Sequence, residues 1–156
     1  MHIRLLAVGD RQPSWVDTAF ADYTTRLPRP WQFRLETIAM ADRRKSATAA
    51  HAKSAEADKL LAKLKPTEQV ILLDETGRQF TSRELSRCVD DWQAVGADIA
   101  FIIGGPDGVS EEVFTRANLT WSLSSLTLPH GLARVLFAEQ LYRAWSLTAG
   151  HPYHRD

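Results

Sequence analysis

Cysteine is nearly absent from this 156-residue chain, with Cys88 its only thiol. One cysteine excludes an internal disulfide and a cysteine-built zinc cage. Long apolar runs are missing too, so nothing approaches the length needed to cross a bilayer. The opening MHIRLLAVGD has too short an apolar stretch for a secretory signal and lacks a small-residue cleavage site. It reads as the first strand of a cytoplasmic protein. Net charge is zero, which argues against a general nucleic-acid binder. Repeats, low-complexity tracts and linkers are also lacking.

What is present suits one ordinary domain spanning residues 1–156. Hydrophobic residues make up 44% of the chain and include five tryptophans, enough for a core at this length. Charge is unevenly spread: residues 1–65 carry an excess of Lys and Arg, and residues 66–128 an excess of Asp and Glu. That asymmetry fits either a self-complementary oligomer or a basic face turned toward an anionic partner.

Apolar runs suited to strands occupy 3–9, 33–39, 69–74 and 97–103, with a short one at 120–124. Helical patterns lie between them. After Pro13, the residues Trp15, Val16, Ala19, Phe20 and Tyr23 form one stripe. A run of helix formers from Ala47 stops before Pro66. Thr81 and Glu84 form a capping box ahead of Leu85, Cys88, Val89, Trp92 and Val95 on one face. Cys88 then reads as a small buried hydrophobe. Alternating strands and helices predict an α/β fold with a mainly parallel sheet flanked by helices. Ligands of such sheets bind outside the carboxyl ends of the strands, which directs attention to the loops after Leu73, Ile103 and Leu123.

The loop IIGGPDGVS allows close backbone approach to a ligand, although a plain Gly-Pro turn ahead of a helix capped by Ser110 would look the same. It is neither G-x-G-x-x-G nor a P-loop. From Leu132 to Leu147 apolar residues cover most of a helix, leaving a narrow strip with Arg134, Glu139, Gln140 and Arg143. A helix apolar nearly all round is buried on more than one side, as a two-fold interface or as a central core helix. Glu139 and Arg143 are spaced to pair. His130, after Pro129, is placed as a helix cap or a ligand contact. His51 reads as a surface residue. His151 and His154 are separated by Pro152 with no carboxylate cluster beside them, so no metal site is expected.

With the opening LLAVGDRQPSWV, the loop FIIGGPDG, the stretch WSLSSLTLPHGLARVLFAEQLYRAWSL and the tail HPYHRD in that order, the whole chain resembles the bacterial ribosomal RNA large-subunit methyltransferase H family, SPOUT-class enzymes that methylate N3 of a pseudouridine in 23S rRNA. The resemblance implies a single SPOUT domain with a C-terminal trefoil knot, a homodimer, and S-adenosylmethionine as cofactor. It places the cofactor contacts at Leu73, Gly104, Leu123, Ser124, Ser125, Leu126, Thr127 and Leu128. The implied partner is 23S rRNA within the assembled ribosome, with no membrane and no metal involved.

The acceptor nitrogen bears a proton, so something near the site should accept a hydrogen bond. Within the tail, Tyr153 can stack on or bond to a base, Arg155 can meet phosphate, and His154 belongs to the residue type that titrates near neutrality. The expectation is a tail folded over the cofactor mouth, with His154 assisting deprotonation and Tyr153 and Arg143 holding RNA or cofactor. RNA would meet a basic face drawn from Arg4, Arg11, Arg26, Arg29, Arg43, Arg44 and Lys45. Two other classes compete: an α/β enzyme holding a phosphorylated small molecule on GGPDG, and a non-catalytic ribosome-associated factor.

Overall fold

The computed structural model describes residues 1–45 and 48–155. The expected helix start at Ala47 and the terminal Asp156 lie outside those residues. Five strands, β1 (Ile3–Val8), β2 (Arg34–Ile38), β3 (Gln69–Arg78), β4 (Ile99–Ile103) and β5 (Leu119–Trp121), form one sheet in the order β2-β1-β4-β3-β5. Every pairing between them is parallel. The intervening helices are α1 (Ser14–Thr24), α2 (Ala49–Lys63), α3 (Ser82–Val95), α4 (Glu111–Arg116) and α5 (His130–Thr148).

Strand alternation divides the core. Ile3, Leu5, Ala7, Ile99, Phe101 and Ile103 point toward α1, α3 and α5, while Leu6, Val8, Val70, Leu72 and Ile102 point toward α2 and α4. On the first face Phe137 of α5 sits 4.8 Å from Phe101 and 6.2 Å from Trp121, ring centre to ring centre. These contacts seat the last helix on the two strands whose ends matter most below.

The expected capping box is complete: the Glu84 N–H donates to Thr81 Oγ1 and the Thr81 N–H to the Glu84 carboxylate. Ser110 occupies the N-cap position of α4 but its hydroxyl caps nothing. Burial raises the Cys88 thiol above its ordinary range, as suits a half-buried hydrophobe. Two residues depart from their predicted stripes. Val95 is 71% exposed because α3 ends there at the left-handed Gly96, and Trp15 is 55% exposed at the start of α1.

β3 also runs further than its apolar stretch. Its pairing with β5 shifts register between Leu73 and Arg78, and Asp74 accepts hydrogen bonds from the Thr76 N–H and hydroxyl at the irregularity. The expected loop after Leu73 is therefore the distorted second half of a strand.

Arg4 is not part of an outward basic face. Its Nε lies 2.7 Å from Glu68 and its Nη1 2.9 Å from Glu36, and Nη2 donates to the Lys63 carbonyl. Burial pushes the Glu68 carboxyl up, but hydrogen bonds from Arg4 and the Lys65 N–H outweigh it and hold the group below its usual range. A depressed carboxyl stabilises the fold above its unfolded pKa and loses that contribution as pH falls through its folded pKa. Arg4→Met leaves Glu68 buried without its cation and should cost about 3 kcal/mol at pH 7. Because Glu68 is then easier to protonate folded than unfolded, the deficit should shrink as pH falls below the carboxylate range; urea unfolding of both proteins from pH 7 to pH 3 measures it.

Candidate active site

The carboxyl ends of β3, β4 and β5 and the first turn of α5 enclose a cavity of about 570 Å³. Its floor is the glycine loop that follows β4. A Cβ on Gly104 would stand 2.6 Å from Val109 Cγ1, and one on Gly105 would stand 2.9 Å from Glu56 Oε1. Gly108 takes φ +79°, and its N–H donates to the Gly105 carbonyl. The loop therefore closes on itself as only glycine permits. Beneath it the buried Glu56 accepts from Arg43 and from the Ala41 N–H, and Arg43 reaches on to Asp107 at 3.0 Å. Arg43 is thus engaged in holding the loop, which raises its pKa through Glu56 first.

The opposite wall follows β5. Ser122 Oγ donates to the Ser124 carbonyl, and the Leu126 N–H donates to Ser124 Oγ, each at 2.9 Å. These turns bring Leu123, Ser124, Leu126, Thr127 and Leu128 to the cavity, with Leu73 and Gly104 opposite. Ser125 alone among the expected contacts faces elsewhere: its Oγ accepts from Gln79 at 2.6 Å and lines a neighbouring cavity of about 480 Å³. Apolar walls come also from Ile103, Val109 and Phe114. Asp74, Glu75 and Asp107 stand at the cavity against a single lysine, Lys53.

His130 is not a helix cap. Its Nδ1 lies 3.1 Å from the Gly104 carbonyl and its Nε2 lies 2.9 Å from Arg134 Nη2, which also donates to the Gly9 carbonyl at 2.9 Å. Burial, then the Arg134 charge, lowers the His130 pKa. Arg134, expected on the polar strip of the helix, is fully buried instead.

The tail lies against its own chain's α5. Tyr153 packs at 4.7 Å on Tyr142 under the Arg143 guanidinium, and His151 meets the rings of Tyr142 and Trp145. Glu139 accepts from Arg143 and from the Tyr153 hydroxyl at 2.9 Å, confirming the expected Glu139–Arg143 pair. Burial and the Glu139 carboxylate raise the Tyr153 pKa strongly, so its phenol stays protonated. Arg143 also donates to the His154 carbonyl. None of the described tail residues lines the cavity: Glu139 is nine residues along α5 from His130, about 14 Å at the helical rise. The expected fold of the tail over the mouth is not made within one chain.

Around this site the whole sequence has close relatives. A family profile described as "Predicted SPOUT methyltransferase" matches residues 1–154. The protein named ribosomal RNA large subunit methyltransferase H in Thioalkalivibrio sulfidiphilus is 47% identical over 156 residues, the full length of both chains. Its namesakes in Laribacter hongkongensis and Hydrogenovibrio crunogenus are 48% and 44% identical, again over both full lengths. This chain belongs to the ribosomal RNA large subunit methyltransferase H family, in the SPOUT class.

Of the residues expected at the cofactor, all but Ser125 line this one cavity. Lys53, Glu56 and the His130–Arg134 pair escaped the reading of the sequence. His130 and Arg134 do stand at i, i+4, the one visible sign that they meet. His51 is exposed on α2. Among the described residues no group of His, Cys, Asp and Glu is gathered to hold a metal, and no helix is long and apolar enough to cross a membrane.

Proposed function

We propose that this methyltransferase transfers the methyl group of S-adenosylmethionine to N3 of a pseudouridine in the 23S rRNA of assembled ribosomes, in the cytoplasm, as a homodimer. The observation that carries the cofactor part is the glycine-floored cavity at the carboxyl edge of the sheet. Its walls suit the group: Leu123, Leu126, Leu128 and Val109 offer an apolar slot for a flat base, and the glycine loop brings backbone within reach of its edge. With Asp107 paired to Arg43, Asp74 and Glu75 outnumber Lys53, a balance that favours a cationic ligand over a phosphorylated one. When bound, the cofactor supplies a sulfonium methyl for in-line displacement, and the protein's task is largely positioning.

The tail serves the second site of the dimer in this reading. Trp15 and Leu132 are exposed at one end of the α1–α5 pair, where α1 lies against the first turn of α5, and Leu126 is exposed just ahead of that turn. Contact through this face lets each protomer bring Arg143, Tyr153 and His154 to the partner's cavity. Tyr153 meets the acceptor nucleotide by exchanging its hydrogen bond to Glu139 for one to the base, and His154 accepts the N3 proton. Arg143, already on the Tyr153 ring, holds RNA. Exposed Arg11, Arg29 and Lys45 remain for phosphate, since Arg4 and Arg43 are engaged internally, Arg26 pairs with Asp22 and Arg44 with Asp42. A C-terminal trefoil knot around the cofactor loops belongs to the same reading.

Ribosomes lacking the modification, incubated with the protein and labelled S-adenosylmethionine, should take label into large-subunit RNA when the subunits are joined and not when they are separated. Cofactor binding without transfer to any ribosomal particle would refute the RNA target, and ribosome binding without cofactor would favour a non-catalytic ribosome-associated role.

A further inference from the structure

Arg134 is 2% exposed, and no carboxylate pairs with it among the described residues. Asp17 acts on it only at a distance, and its Nε has no hydrogen-bond partner. A buried cation held this way is costly, and an apolar residue of similar volume would often serve stability as well. What Arg134 does make is specific. One amino group, Nη2, donates to the Gly9 carbonyl just past β1 and to His130 Nε2. An imidazole nitrogen facing a guanidinium N–H must offer its lone pair, so the His130 proton resides on Nδ1, which donates to the Gly104 carbonyl. Gly9 and Gly104 follow neighbouring strands at the same edge of the sheet. The pair thus ties the exits of β1 and β4 to the first turn of α5.

We propose that Arg134 is a positioning residue for the cofactor: it locks His130 in the Nδ1–H tautomer, and His130 fixes the Gly104 peptide plane at the start of the glycine loop. Removing the lock frees that plane, and the loop must then be ordered at the expense of binding. This rests on the assignment of the cavity to S-adenosylmethionine. The lock itself concerns the unliganded protein and is measurable apart from it.

Long-range proton–nitrogen NMR of the free protein at pH 7 should show His130 neutral with its proton on Nδ1. Calorimetry with S-adenosylmethionine should show affinity about tenfold weaker for both Arg134→Met and His130→Ala. His130→Asn, whose amide can still donate to Gly104, should bind within about threefold of wild type. An Nε2–H or doubly protonated His130 in the wild type overturns the proposal. So does wild-type affinity in Arg134→Met after the tautomer is lost. Should Arg134→Met fail to fold, the two His130 variants decide, and equal affinities for Ala and Asn overturn it. A wild-type protein that binds no S-adenosylmethionine sinks the cofactor assignment along with this inference, whereas normal wild-type binding with insensitive variants sinks this inference alone.

Discussion

A mixed dimer of one protomer carrying Gly104→Val and one carrying Tyr153→Ala with His154→Ala is expected to recover roughly half of wild-type methyl transfer, from one intact composite site of two. Either variant as a homodimer should lose about 10²-fold or more. Valine at position 104 fills the cavity floor, where even a Cβ meets Val109 Cγ1 at 2.6 Å and the Gly108 backbone at 3.1 Å. The tail variant removes the groups proposed to meet the acceptor and leaves the cavity whole, since no described tail residue lines it. If each cavity is completed by the partner's tail, the mixed dimer unites a sound cavity with a sound tail at one of its sites. Were each tail to serve its own chain, both sites would remain defective and activity would stay at the level of the homodimers. Purified mixed dimers carrying two different affinity tags, assayed on ribosomes, distinguish the two arrangements.

Gly77→Ala should be the most damaging single methyl in the chain, costing about 3 kcal/mol. A Cβ at Gly77 would lie 2.6 Å from the Thr120 carbonyl carbon and oxygen and 2.8 Å from the Trp121 carbonyl carbon. These are backbone atoms of β5, which cannot swing aside as a side chain would. Either β5 separates from the end of β3 or the Leu73–Arg78 irregularity is rebuilt. Both outcomes displace Leu123 and Ser124, which follow β5 into the cavity, so cofactor affinity should fall together with stability. A melting temperature lower by roughly 10 °C, with weakened S-adenosylmethionine binding, is the expected result. Gly96→Ala makes a useful control: it is strained by its φ of +69° but meets nothing within 4 Å, and it lies outside the cavity wall.

The same glycine shows where reading a sequence stops. Apolar runs located all five strands, most sharply β4, whose five residues are buried on both faces of the parallel sheet, and the Thr81 capping box marked the start of α3. The apolar run ends at Asp74, yet β3 continues through Gly77, because polar residues and a glycine beyond an apolar stretch look the same in a loop as in a distorted strand end. Periodicity placed Trp15 and Val95 on apolar stripes but could not say how far the neighbouring elements extend to cover them. The cavity was legible through topology, since parallel strands deliver their following loops to one edge. The composition of HPYHRD set the tail apart from an ordinary terminus, but its seat on Tyr142 and Glu139 depends on tertiary packing that no local pattern encodes. Arg134 was misplaced for the same reason: a buried cation without a carboxylate partner leaves no charge pattern to read.

The most direct test is to digest the 23S rRNA from the labelled ribosome reaction to nucleosides and separate them by chromatography and mass spectrometry, using ribosomes with and without prior pseudouridylation. The expected result is that label co-elutes with 3-methylpseudouridine and depends on the pseudouridine being present. Label on another nucleoside, or transfer that ignores pseudouridylation, would contradict it.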